Sequence, residues 1–152
     1  MRLIALAGML LLFHSATLCA QVSKPVTWSF SARRTGPFSA TLLFTATIND
    51  DWHIYSQHIR EGGPVPTKFT FESSDDFVLD STMAEPHPIM RMEPAFNMVL
   101  GYFVQSVVFQ QRIRLRVGQV TVRGQVEFMT GNDTRCLPPE GVDFSIAVRA
   151  YN

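Results

Sequence analysis

From residue 38 to residue 48 every even position after the first is apolar: Ala40, Leu42, Phe44, Ala46 and Ile48. Threonine and serine fill most of the odd positions between them. Side chains of a strand alternate between its two faces, so this period of two specifies a strand with one buried face. A helix would scatter the same side chains around its axis. The pattern recurs in Val26, Trp28, Phe30 and Ala32, which alternate with Thr27, Ser29 and Ser31. It returns in Val107, Phe109, Ile113 and Leu115, then in Val120, Val122, Val126 and Phe128, and finally in Val142, Phe144, Ile146 and Val148. A shorter run over residues 67–72 alternates around Phe69 and Phe71. Turns are expected at residues 33–37, at Asn49-Asp50-Asp51 and at Gly62-Gly63-Pro64. Short strands between turns, with no helical period, predict an all-β fold built as an antiparallel β-sandwich.

Residues 85–103 break the rhythm. They hold Pro86, Pro88 and Pro94, Met90, Met92 and Met98, and Phe96. Their apolar content is too high for a solvated linker, so they read as an ordered excursion that packs back on the body. The methionines read as gap-fillers rather than metal ligands, because flexible thioethers suit irregular packing.

The first 20 residues are a separate object. Arg2 gives a positive start, residues 3–13 are apolar, and small residues lead to Ala20. That is the pattern of a secretory signal peptide cleaved after Ala20, which leaves residues 21–152 as one exported domain. The apolar run is too short to span a bilayer. A lipidated Cys19 is disfavoured by Leu18, where that signal requires a small residue. Of 13 basic and 13 acidic residues the leader takes only Arg2, leaving 12 against 13. With no charge run, nucleic acid and anionic membrane are poor partners.

Few residues offer chemistry. His53, His58 and His87 show no zinc-like spacing, and no glycine-rich phosphate loop follows a strand. No cofactor is expected. Asn132-Asp133-Thr134 fits a glycosylation sequon and equally a plain turn. Once Cys19 departs, Cys136 is the sole cysteine, so no internal disulfide is available. It follows the polar turn Gly131-Asn132-Asp133 and precedes Leu137-Pro138-Pro139, whose prolines stiffen the exit. Arg135 beside it would favour a thiolate. Spacing alone leaves two readings open, a reactive thiol or a small buried hydrophobe.

Three ordered motifs carry a resemblance. Trp52-His53-Ile54-Tyr55-Ser56-Gln57, the Gly62-Gly63-Pro64 stretch running on to Phe71, and Val126-Glu127-Phe128-Met129 leading to Cys136-Leu137-Pro138-Pro139 resemble the periplasmic N-terminal domain of DsbD, the bacterial thiol:disulfide interchange reductase. The likeness extends over essentially the whole of residues 21–152. It implies an immunoglobulin-like sandwich that exchanges disulfides with periplasmic thioredoxin-like or other thiol-bearing proteins. It also implies a cysteine pair on the hairpin. Cys136 matches the second cysteine, and Gly131 stands where the first is expected. The shielding cap falls in the 90–103 excursion, with Phe96 as the shield and Glu93 as the one retained acidic neighbour. His53 and Tyr55 fall where the resemblance places aromatics beside the cysteine pocket.

Exchange passes through a mixed disulfide that a second thiol resolves, and Cys136 alone supplies only the first step. Two functions follow from the resemblance. One is a redox-impaired module acting by protein–protein interaction, which the missing cysteine favours. The other is partner-dependent exchange through Cys136 mixed disulfides. Independent of the resemblance is a secreted carbohydrate-binding sandwich using Trp52 and Tyr55 as exposed aromatics.

Overall fold

The computed structural model describes residues 24–151, and the expected leader lies outside them. Among the described residues all regular structure is strand. In chain order these are β1 (Val26–Gly36), β2 (Ser39–Ile48), β3 (His53–Tyr55), β4 (Lys68–Phe71), β5 (Phe77–Leu79), β6 (Ile89–Glu93), β7 (Met98–Phe103), β8 (Ser106–Leu115), β9 (Val120–Phe128), β10 (Thr130–Gly131) and β11 (Glu140–Val148). The fold is an antiparallel β-sandwich, as the alternation predicted, and of the immunoglobulin-like kind that the resemblance implied.

One sheet runs β1-β2-β8-β5 and faces another that runs β11-β9-β4. Their inner faces meet in a layer of aromatic rings. Phe44 on β2 packs against Phe69 on β4 and Phe144 on β11, with ring centroids 4.9 and 5.0 Å apart. Trp28 on β1 lies edge-on to Phe128 on β9 at 5.4 Å. The even positions of β2 are all buried, as are Val107, Phe109, Ile113 and Leu115 of β8. Gln111 occupies the same inward row and is 2 % exposed. Its amide donates to Ser81 O at 2.9 Å and Arg112 O at 2.8 Å, which satisfies the buried polar group.

A third sheet, β10-β3-β7-β6, closes one end. Here the structure corrects the reading of residues 85–103. They form the β6–β7 hairpin, paired from Ile89↔Tyr102 to Glu93↔Met98, with its turn at residues 94–97. Ile89, Met90, Arg91 and Met92 are all exposed, so β6 shows no apolar period. Met90 and Met92, 62 % and 53 % exposed, therefore do not fill gaps. The expected turn at residues 33–37 is also shorter, because β1 continues to Gly36 and pairs β2 through a bulge between Arg34 and Gly36. The Arg34 guanidinium reaches Pro37 O and Gly118 O, which draws this polar segment back into the sheet.

The connection into β6 is pinned by Glu85. Its carboxylate accepts hydrogen bonds from Ser56 Oγ, from Gln57 N at 3.0 Å and from Gln57 Nε2 at 3.3 Å. The side chain is 6 % exposed, so these donors replace the water it has lost. They fix the chain leaving β3 against the approach to β6.

Candidate functional site

The loop between β9 and β11 carries its own small hairpin. Asn132 N donates to Arg135 O at 2.9 Å and Leu137 N donates to Thr130 O at 2.8 Å. These two bonds flank an antiparallel pair in which Gly131 faces Cys136. A pair flanked in this way exchanges no hydrogen bonds of its own, and its α-carbons lie about 4.5 Å apart with side chains close together. Asn132 stabilises the turn, its Oδ1 accepting from Thr134 N, Thr134 Oγ1 and Arg135 N at 2.9–3.0 Å. The sequon therefore reads as a side-chain-capped turn. Gly131 has no positive φ. Any constraint on residue 131 therefore comes from close neighbours, not from backbone freedom.

On its other edge Gly131 pairs with His53 of β3. His53 and Tyr55 are two apart on that strand and project to one face. Their rings meet edge to face with centroids 5.1 Å apart. A carbon attached to Gly131 would meet His53 Nε2 at 2.8 Å, Tyr55 Oη at 2.9 Å and Cys136 Sγ at 3.3 Å. Three reactive or polar atoms thus converge over one glycine. Tyr55 Oη lies 3.4 Å from Cys136 Sγ, within hydrogen-bond range for sulfur. The Tyr55 hydroxyl is pushed well above its ordinary 10.0, first by burial and then by the Cys136 contact, so it keeps its proton. Burial lowers His53 below its ordinary 6.5 and holds the imidazole neutral at pH 7. His53 Nε2 is buried and has no hydrogen-bond partner among the described residues.

Cys136 itself is exposed. Of the two readings left open by spacing, this exposure favours the reactive thiol. The remaining expected residues fall unevenly. Phe96 sits half-buried in the turn between β6 and β7. Arg135 places its guanidinium over the Trp52 ring, 5.5 Å from the centroid, a cation–π contact that occupies both side chains. Tyr55 is 1 % exposed. A carbohydrate platform needs that ring at the surface, so Tyr55 is not the exposed aromatic that the sugar-binding reading required.

Tyr102 and Arg91 went unnoticed in the sequence, and Asp133 was read only as a turn residue. Tyr102 of β7 packs its ring on His53, with centroids 4.9 Å apart. Arg91 of β6 forms an ion pair with Asp133 at 3.3 Å, linking the β6–β7 hairpin to the thiol loop. Both partners are well exposed, so the link is worth little on its own. Arg91 sits in an irregular apolar stretch and Asp133 in a turn; neither context signals a partner.

Known proteins bear on this geometry. A family model described as thiol:disulfide interchange protein DsbD, N-terminal, matches residues 21–147. The fold is similar to the Neisseria meningitidis DsbD N-terminal domain in the reduced form, with a TM-score of 0.58 at 11 % identity over 84 % of this chain and 88 % of that one. It is also similar to the N-terminal periplasmic domain of ScsB from Proteus mirabilis, with a TM-score of 0.52 at 21 % identity over 81 % of this chain and 44 % of that one. No curated protein matches the chain.

Proposed function

The chain belongs to the family of the DsbD N-terminal domain, and on that premise we propose that it is an exported single-thiol exchange module. Residues 1–20 act as its signal peptide, and residues 21–152 work in the periplasm as one domain. Cys136 forms mixed disulfides with thioredoxin-like or other thiol-bearing proteins, and a cysteine of another protein resolves them by attacking Cys136 Sγ, so that the first partner leaves reduced.

The observation that carries this reading is the exposure of Cys136 on a hydrogen-bonded hairpin, directly opposite Gly131. The sequence alone favoured pure docking without chemistry, because the pair is broken. Geometry supports exchange instead: Cys136 is an exposed residue, and Tyr55 and His53 border the same spot over Gly131. Attack of the Cys136 thiolate on a partner disulfide forms one S–S bond and releases one partner thiolate. Completion needs a second thiol, and Gly131 cannot supply it.

Native titration of the mature protein with an aromatic disulfide tests the accessible-thiol premise. One aromatic thiolate per chain should be released before any unfolding. Release that waits for denaturant would mean a buried, inert thiol and would leave the docking reading alone.

A further inference from the structure

We propose that Cys136 is also a hydroperoxide-reactive site, whose sulfenic acid is held by Tyr55 and His53 until an external thiol reduces it. This rests on Cys136 being an accessible thiol, but not on any partner protein.

Three observations converge. Cys136 is an exposed residue on the loop between β9 and β11, where a small peroxide can approach. Tyr55 Oη, 3.4 Å from Sγ, retains its proton and can donate to an oxygen bonded to that sulfur. His53 is 8 % exposed, and its unpartnered Nε2 points at the same spot over Gly131 that Tyr55 and Cys136 border. A buried ring nitrogen without a partner is a costly vacancy, and an oxygen carried on Cys136 supplies one.

The chemistry balances with a hydroperoxide as oxidant. The Cys136 thiolate attacks the distal peroxide oxygen; an S–O bond forms, the O–O bond breaks, and the leaving oxyanion takes a proton to become an alcohol or water. Sulfur loses two electrons and the peroxide gains them. In a cysteine pair the neighbouring thiol would consume the sulfenic acid at once. Gly131 removes that route, so the acid persists. A thiol from another molecule then attacks the sulfenic sulfur, forming a mixed disulfide and releasing water.

The test treats the mature protein with equimolar hydrogen peroxide and, after increasing delays, adds dimedone, which alkylates sulfenic acids only. Intact mass should show a dimedone adduct on Cys136 that remains obtainable after the longer delays. Tyr55→Phe and His53→Gln should each shorten the sulfenic acid's lifetime about tenfold, as loss of one hydrogen bond implies. His58→Gln, on an exposed residue outside the cluster, should not change it. Absence of an adduct in a protein whose thiol titrates normally would overturn the proposal and leave the exchange reading standing. Lifetimes equal to the natural protein's in both folded cluster variants would overturn it too.

Discussion

Gly124→Val is expected to destabilise the domain by about 3 kcal/mol or more, through overpacking that the backbone cannot relieve. Gly124 lies in β9, the middle strand of the β11-β9-β4 sheet, opposite Phe71 on one side and Phe144 on the other. A carbon added there would overlap the carbonyl oxygen of Thr70 and come within 2.5 Å of Phe144 Cζ. The first obstacle is main chain, so β4 must move away from β9. The second is a ring in the aromatic layer between the sheets, packed at 5.0 Å against Phe44. Domains of this kind are stable by only about 5–15 kcal/mol, so the change removes a large fraction. Thermal unfolding followed by circular dichroism should show a melting temperature lower by roughly 10 °C. Gly118→Ala is the control: an added carbon there meets nothing within 4 Å, and its effect should stay within about 0.5 kcal/mol. Equal melting temperatures for the two variants would show that β4 does not pack as described.

The second large effect is a gain. Gly131→Cys should close a disulfide with Cys136 under mild oxidation and turn a one-thiol module into a two-thiol one. The facing pair falls in the range of α-carbon separations, about 4.4–6.8 Å, that a disulfide spans. The carbon of the new side chain would lie 3.3 Å from Cys136 Sγ, close to bonding geometry. Closing so short a loop contributes about 2 kcal/mol in the chain-entropy model. Against this stands crowding, since the same carbon meets His53 Nε2 at 2.8 Å and Tyr55 Oη at 2.9 Å, and both rings must shift. Gly131→Ser carries the crowding without the bond and should melt below the natural protein. Oxidised Gly131→Cys should melt above its own reduced form, and it should lose its titratable thiols. Two persistent free thiols in a folded Gly131→Cys protein would refute the facing geometry.

Legibility in the sequence followed burial. Where one face of a strand is buried and the other wet, as in β2, β8 and β11, the period of two marked the strand. Where both faces share one environment the signal vanished. β3 is buried at all three residues, so nothing told Tyr55 apart from a surface aromatic. β6 is exposed almost throughout, and a paired strand passed for irregular chain. The Cys136 loop was visible as a turn from its Gly-Asn-Asp content, whereas its opposition to Gly131 came from the family likeness. The convergence of His53 and Tyr55 on Gly131 depends on β10 pairing with β3, more than 70 residues away in sequence, and local composition carries no trace of it.

The central claim is that this chain performs the first half of disulfide exchange and depends on a thiol of another protein for the second. The lifetime of the mixed disulfide tests it most directly. An oxidised thioredoxin-like protein with both cysteines, and a form lacking the second and activated as an aromatic disulfide at the first, are each mixed with the mature protein. The complex is then followed on non-reducing gels. The single-cysteine partner should accumulate as a lasting one-to-one complex through Cys136, and the two-cysteine partner should appear only transiently. A single-cysteine complex that resolves as fast as the two-cysteine one, or no complex with either, would contradict the account.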